Sequence, residues 1–165
     1  MAETLTRRTA LGRLGVVGVA VATGALHRPA PAGAQGASPT LGLQESVQDG
    51  LKRLFGGRPV KDGSALIKLD IPPIAENGAV VPVNVEVTGA MTPASYVKTI
   101  WIVADKNRIP IVAKATLTPE SGQAFIGANI RLGETTDVRA VVEQSDGTLF
   151  MAKREVKVTV GGCGG

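Results

Sequence analysis

Residues 79–88 read AVVPVNVEVT, and this stretch decides the class of fold. Apolar and polar residues alternate along it, so an extended chain places them on opposite faces. The apolar face carries Val81, Val83, Val85 and Val87, and the polar face carries Pro82, Asn84, Glu86 and Thr88. The pattern predicts a half-buried β-strand. Because Pro82 cannot donate to a strand ladder, it predicts an edge position or a bulge.

Six further stretches have a similar length and apolar content. They are SALIKLDI (64–71), SYVKTIWIV (95–103), IPIVAKATL (109–117), QAFIGANIRL (123–132), TDVRAVVEQ (136–144) and LFMAKREVKVTV (149–160). Turn-forming residues separate them, and Ser145-Asp146-Gly147 predicts a hairpin. Seven short strands with no long helix between them predict an all-β fold, an immunoglobulin-like antiparallel β-sandwich of about seven strands. A partly open barrel is the alternative.

A helical pattern precedes the strands in LQESVQDGLKRLFGG, residues 43–57. Apolar residues recur at spacings of four and three, and Gly56-Gly57 and Pro59 follow as stop signals. The shared face carries Leu43, Val47, Leu51 and Leu54. We therefore expect a short N-terminal amphipathic helix whose apolar face packs on the core, with docking to a partner as the alternative.

The first residues have the features of an export signal. Arg7-Arg8 precede a mildly apolar run over residues 14–26, and Ala32-Gly33-Ala34 offers a small-x-small cleavage pattern. The run is well short of the roughly 20 residues that span a bilayer. We expect residues 1–34 to be a twin-arginine signal peptide, the mature chain to be periplasmic, and no part of it to insert in the membrane.

The amino-acid composition excludes most of the common arrangements of catalytic residues. Without residues 1–34 the chain keeps 14 basic and 13 acidic residues, which gives no support for nucleic-acid binding. The single histidine, His27, lies in the predicted signal, and Cys163 is the single cysteine. For the mature chain this excludes a catalytic triad, a Cys-His pair and a histidine-ligated metal or haem. It also excludes a CxxC pair and an internal disulfide. We expect no cofactor and no metal.

The tail VTVGGCGG, residues 158–165, holds that cysteine between two glycine pairs. Gly161, Gly162, Gly164 and Gly165 carry no side chain to fold back on the sheet. From Val160 the extended chain reaches about 10 Å to Cys163. We therefore expect residues 35–62 to form a spacer and the helix, residues 63–160 the sandwich, and residues 161–165 a flexible arm. Cys163 is then the candidate site of covalent attachment, on which visiting enzymes would act.

Three other functions are compatible with parts of this pattern. The chain could be an exported docking module whose cysteine tail is incidental. Gly164-Gly165 could be a C-terminal pair of the ubiquitin-like kind, or Cys163 could serve a thiol peroxidase or disulfide-exchange enzyme.

Trp101 is interpreted as a core or subunit-interface residue. Lys153, Arg154 and Lys157 are interpreted as solvated strand charges, with steering of anions as the alternative.

The sequence resembles the SoxY family, the sulfur-carrier subunits of the Sox thiosulfate-oxidising system. The most specific stretch is VKVTVGGCGG (156–165), supported by IPPIAENGAVVPVNVEV (71–87) and IRLGETTDVRAVVEQSDG (130–147). The segment Asn107-Arg108-Ile109-Pro110 departs from the family pattern, which puts the geometry of that loop in question.

This resemblance implies a set of partners and a role for the tail. It implies an immunoglobulin-like sandwich paired with a SoxZ-like β-sandwich subunit, and sulfur intermediates held covalently on Cys163. The haem-containing SoxXA would couple thiosulfate to the thiol, the hydrolase SoxB would release sulfate, and a sulfane dehydrogenase would oxidise the remaining sulfur.

Overall fold

The computed structural model describes residues 44–162, which form one short helix and two β-sheets. Helix α1 spans Val47–Phe55. The side chain of Ser46 accepts a hydrogen bond from the backbone N–H of Asp49, and Gly56 ends the helix in the left-handed conformation at φ 60°. No helix in residues 44–162 is long and apolar enough to cross a membrane.

The described chain contains nine strands. They are β1 (Val60–Asp62), β2 (Ile67–Asp70), β3 (Ile74–Asn77), β4 (Val81–Val87), β5 (Val97–Ala104), β6 (Ile111–Thr116), β7 (Ala124–Ile130), β8 (Thr136–Gln144) and β9 (Leu149–Val160). The larger sheet has the order β1-β9-β8-β5-β6, with β3 paired to β9, and the smaller sheet has the order β2-β4-β7. This architecture confirms the predicted all-β, immunoglobulin-like sandwich with an N-terminal helix.

All seven stretches predicted to be strands form strands, and β1 and β3 were not predicted. Both are parallel to β9, whereas every other strand pair is antiparallel. They were missed because they are only three and four residues long and lack an alternating burial pattern. The sheets therefore begin at Val60, three residues before the boundary at residue 63 that the sequence suggested.

Strand β4 lies at the centre of the smaller sheet, between β2 and β7. Val81, Val83 and Val85 are fully buried, as their alternation predicted. Pro82 pairs with Asn129 of β7, but β2 has ended at the pair formed by Asp70 and Asn84. Pro82 thus lies in a central strand at a place where only one neighbouring strand remains.

The hydrophobic core has two parts. The larger part fills the space between the sheets and includes the four alternating valines of β4. The smaller part is the outer cluster, made of Phe55, Trp101, Val103, Val141 and Leu149. Val47, Leu51 and Leu54 of α1 pack against it, which confirms that the helix face packs on the core; Leu43 lies outside the described residues.

Trp101 lies in the outer cluster and is a core residue, as expected. Its ring meets that of Phe55 edge to face, with centroids 5.0 Å apart and an interplanar angle of 87°. The indole is 5% exposed, and its Nε1 has no hydrogen-bond partner in the described part of the chain.

The hairpin between β8 and β9 forms at Ser145-Asp146-Gly147, as predicted. Gly147 has φ 84°, and the backbone N–H of Gln144 donates to the carbonyl of Thr148 at 3.0 Å. The carboxylate of Asp146 accepts from the backbone N–H and the hydroxyl of Thr148, and these bonds lower its pKa.

Candidate functional site

Strand β9 carries the chain from the sandwich to the tail, and its last residues are held by hydrogen bonds. The backbone N–H of Lys157 donates to Pro73 O at 2.9 Å, and the N–H of Val158 donates to Thr135 Oγ1 at 3.0 Å. The carbonyl of Val160 accepts from the N–H of Gly78 at 2.7 Å. These hydrogen bonds therefore continue along β9 as far as Val160, the residue that precedes the glycines.

The first two tail glycines lie in a cradle that we call the tail clamp, formed by Gly78, Leu132 and Gly133. The N–H of Gly162 donates to Leu132 O at 3.0 Å, and the N–H of Leu132 donates to Gly78 O at 2.7 Å. Gly162 is buried and Gly161 is exposed. The clamp is thus a closed set of backbone contacts that joins three distant parts of the sequence.

Only glycine fits at these close approaches. A Cβ atom on Gly162 would lie 2.6 Å from the carbonyl carbon and oxygen of Gly78, and one on Gly161 would overlap Gly133 O. A Cβ atom on Gly78 would overlap Leu132 O. Neither Gly161 nor Gly162 has a positive φ, so the requirement is space and not backbone conformation.

These contacts concern only the first two residues of the predicted flexible arm, residues 161–165. Gly162 donates the last hydrogen bond that the structure describes, Gly161 lies close against Gly133 O, and the flexibility of the arm stays a prediction. Nothing in the residue pattern warned of these contacts, because glycine has no side chain whose pattern could reveal burial.

Asn107 supports the clamp from the turn between β5 and β6. Its side chain is 6% exposed; its Nδ2 donates to Arg131 O at 2.7 Å, and its Oδ1 accepts from the N–H of Gly133 at 3.4 Å. It therefore fixes the loop that supplies Leu132 and Gly133. In the sequence, Asn107 stood out only as part of a departure from a family pattern, and its supporting role was missed.

The remaining predicted site residues lie outside the described residues. They are Arg7, Arg8, Cys163, Gly164 and Gly165. Cys163 follows Gly162 directly in the sequence. Within residues 44–162 there is no group of three or more metal-ligating side chains.

The basic residues of β9 are exposed strand charges. Lys153, Arg154 and Lys157 all face solvent, and the Nζ of Lys153 lies 3.2 Å from a carboxylate oxygen of Asp137. This arrangement fits their interpretation as solvated charges.

The fold and the clamp define a class: a β-sandwich whose last strand is anchored through a diglycine directly before a lone cysteine. A family model described as sulfur oxidation protein SoxY matches residues 51–163. The chain belongs to the SoxY family, which confirms the resemblance drawn from its sequence.

Solved structures support this assignment. The sulfur carrier protein SoxY from Chlorobium limicola f thiosulfatophilum is 32% identical to this chain, with a TM-score of 0.59, over 70% of this chain and 97% of that one. A superoxide reductase (neelaredoxin) from Ignicoccus hospitalis is 15% identical, with a TM-score of 0.50, over 56% of this chain and 80% of that one. That second likeness shows the fold alone. The comparison with curated proteins found no match.

Proposed function

We propose that this chain is a sulfur carrier that holds sulfur intermediates covalently on Cys163 and presents them to separate enzymes. The clamped Gly161-Gly162 pair carries the proposal, because it anchors the residue before the thiol to a rigid sandwich. Membership of a family that includes the Chlorobium sulfur carrier supports the same role. Under this proposal the chain is a carrier acted on by enzymes and not an enzyme itself.

The chemistry of the carrier is a cycle at one sulfur atom. Thiosulfate forms an S–S bond with the Cys163 thiol, one proton is released, and two electrons pass to a haem cytochrome of the SoxXA kind. Water then cleaves the bond between the outer sulfur and the sulfonate group, so that sulfate leaves and a persulfide stays on the cysteine. A sulfane dehydrogenase then oxidises the outer sulfur of the persulfide to a sulfonate, with three oxygen atoms taken from water and six electrons passed to a haem cytochrome acceptor. A second hydrolysis releases this sulfonate as sulfate and restores the thiol.

The setting of the proposed cycle is the periplasm. We propose that residues 1–34, with Arg7-Arg8, direct export by the twin-arginine route, and that the mature chain pairs with a SoxZ-like subunit. SoxXA, SoxB and the sulfane dehydrogenase would be transient partners. Neither nucleic acid nor insertion of the mature chain in a membrane has a place in this proposal.

The test is the intact mass of the mature protein from thiosulfate-grown cells, recorded before and after treatment with a reductant. We expect a reducible mass increase that maps to the peptide containing Cys163. Cys163→Ser should lose both the adduct and thiosulfate-dependent turnover while keeping the same thermal unfolding curve. Full turnover by that variant would overturn the proposal in favour of a docking module with an incidental tail.

A truncation separates the remaining alternatives. Deletion of Gly164-Gly165 should leave loading of Cys163 possible, because the proposed chemistry is at the thiol. If loading instead requires the terminal glycines and no adduct forms on Cys163, attachment is at a carboxylate as in ubiquitin-like carriers. Turnover of peroxide or a model disulfide by the isolated chain would indicate a thiol enzyme.

A further inference from the structure

The turn that follows β3 contains the dipeptide Asn77-Gly78. Of the four asparagines in the chain, Asn77 alone is followed by glycine, whereas the others precede valine, arginine and isoleucine. Glycine has no side chain to shield its backbone nitrogen, so asparagine before glycine is the dipeptide most prone to deamidation. The turn therefore carries a chemically reactive site.

Deamidation is a reaction between the asparagine side chain and the next backbone nitrogen. That nitrogen loses its proton to hydroxide and attacks the side-chain amide carbon, Cγ. A C–N bond forms, the bond from Cγ to Nδ2 breaks, and ammonia leaves a five-membered succinimide. Water then opens the ring at either carbonyl, which gives aspartate or isoaspartate. The reaction needs no enzyme, but the Gly78 nitrogen must reach Cγ of Asn77.

Hydrogen bonds hold both reacting groups in the structure. The N–H of Gly78 donates to Val160 O at 2.7 Å, and the Oδ1 of Asn77 accepts from the N–H of Ala79 at 2.8 Å. The carbonyl of Gly78 accepts from the N–H of Leu132 at 2.7 Å. Ring closure requires loss of the Gly78 proton and rotation of the turn, and both changes break these bonds.

Close packing also prevents the turn from rotating. Asn77 is exposed, whereas Gly78 is buried. A Cβ atom on Gly78 would lie 2.8 Å from the backbone nitrogen of Gly162 and 2.9 Å from Cγ1 of Val158. Water therefore reaches the amide of Asn77, while the nitrogen that would attack it is covered by the end of β9 and the first tail residues.

We propose that Asn77-Gly78 is a deamidation site which the closed tail clamp protects, and that isoaspartate formed there after the tail detaches prevents the clamp from closing again. Isoaspartate adds one carbon atom to the main chain between residues 77 and 78, so the Gly78 N–H loses its register with Val160 O. The site thus converts a reversible opening of the tail into a permanent one. It is independent of the proposed function, because it uses no chemistry of Cys163.

The experiment follows deamidation at residue 77 by peptide mapping of the full mature chain in a mildly alkaline buffer with a reductant. The mass change from amide to carboxyl distinguishes it from isomerisation at Asp-Gly dipeptides, which leaves the mass unchanged. A synthetic peptide of residues 73–81 gives the rate without the clamp. The parent chain should react at least roughly tenfold more slowly than this peptide. Equal rates would mean that the fold does not protect the site.

Two variants open the clamp from different sides. Gly162→Ala, whose added methyl group would lie 2.6 Å from the Gly78 carbonyl, should deamidate at least roughly threefold faster than the parent chain. Asn107→Ala, which releases the N–H of Gly133, should accelerate the reaction in the same direction. Gly89→Ala is the matched control and should react at the parental rate, because nothing lies within 4 Å of its Cβ position. Parental rates in both opening variants would overturn control by the clamp.

The effect on the tail is measured on the isoaspartate form, which ion exchange separates from the aged parent chain. Its Gly162 amide should exchange hydrogen at least roughly tenfold faster than in the unmodified chain. Asn77→Asp adds the same charge without lengthening the main chain, and its carboxylate can still accept from the N–H of Ala79, so it should keep the parental exchange. Unchanged exchange in the isoaspartate form, or equal loss of protection in Asn77→Asp, would overturn the proposed effect on the tail.

Discussion

The two ends of the described chain are attached to the sandwich by different kinds of contact. Helix α1 is attached by large side chains, with Phe55 and Trp101 stacked edge to face and Leu51 and Leu54 packed beside them. The tail is attached by backbone hydrogen bonds, from Gly162 to Leu132 and from Gly78 to Val160, and by the close approach of glycine backbones. Side-chain packing stabilises the fold in proportion to the apolar area that it buries. The clamp contributes little stability of this kind and instead fixes the position of the tail.

The difference matches what each end is for under the proposed function. A helix that covers the outer cluster needs affinity for the sheet and can tolerate small shifts. A carrier thiol needs a fixed point of departure with nothing bulky around it, so that a partner enzyme can enclose the cargo. The clamp supplies this fixed point at Gly162, one residue before Cys163.

The largest expected effect is at the helix end. Trp101→Ala should lower the free energy of unfolding by about 3–5 kcal/mol, because it removes the centre of the outer cluster. Trp101→Phe should cost far less, since it keeps most of the volume and removes an indole N–H that has no described partner. Urea denaturation measures both. Loss of protection at the Gly162 amide in Trp101→Phe would show that the two ends are not independent.

Asn107→Ala should have the next largest effect. It leaves Arg131 O and the N–H of Gly133 without their side-chain partner in a partly buried site, which costs about 1–2 kcal/mol. The matched control is Asn84→Ala on the exposed face of β4, where little change is expected. Amide hydrogen exchange should be faster at Leu132 and Gly162 in Asn107→Ala alone. Equal exchange in both variants would contradict the supporting role of Asn107.

Gly162→Ala should disturb the clamp with only a small global effect. The added methyl group would meet the Gly78 backbone at 2.6 Å, so the end of the chain is expected to detach locally and leave the sandwich folded. Exchange of the residue 162 amide should rise at least roughly tenfold, while the free energy of unfolding falls by less than about 1 kcal/mol. Gly89→Ala is the control, because nothing lies within 4 Å of its Cβ position. Unchanged exchange in Gly162→Ala would contradict the clamp.

The smallest expected effect is that of removing an ion pair of helix α1. Arg53 donates to both carboxylate oxygens of Glu45, at 2.8 and 2.7 Å, and this bond lowers the pKa of Glu45 below its ordinary value of 4.5. A lowered folded-state pKa stabilises the fold above 4.5, and the contribution is lost as the pH falls through the folded value. Glu45→Gln should therefore lower Tm slightly at pH 7, by less and less as the pH drops below 4.5. A difference that grows in acid would have the wrong sign.

The seven longer strands could be predicted because runs of apolar residues between turn signals indicate buried strands, and where only one face is buried period-two alternation records that burial directly. The valines of β4 are the clearest case. The helix could be predicted for the same reason, from the spacing of Val47, Leu51 and Leu54. Strands β1 and β3 could not, since three or four residues paired to the edge of β9 leave no periodic pattern.

The candidate site likewise has features that the sequence reveals and features that it does not. The position of Cys163 after two glycines is written in the sequence, and so is its isolation from any other cysteine. That Gly161 and Gly162 are held was not predictable, because their partners Gly78, Leu132 and Gly133 are distant in the sequence. Asn107 and Arg131 likewise meet only through the loop that joins β7 to β8.

The sequence by itself determined the all-β class, the helix and the lone thiol, because alternation, spacing and residue identity are local properties. Only the tertiary structure decided that Gly161 and Gly162 lie against the backbone of Gly78, Leu132 and Gly133. These contacts depend on backbone atoms of distant segments approaching too closely for any Cβ atom, and such contacts leave no pattern in the order of side chains.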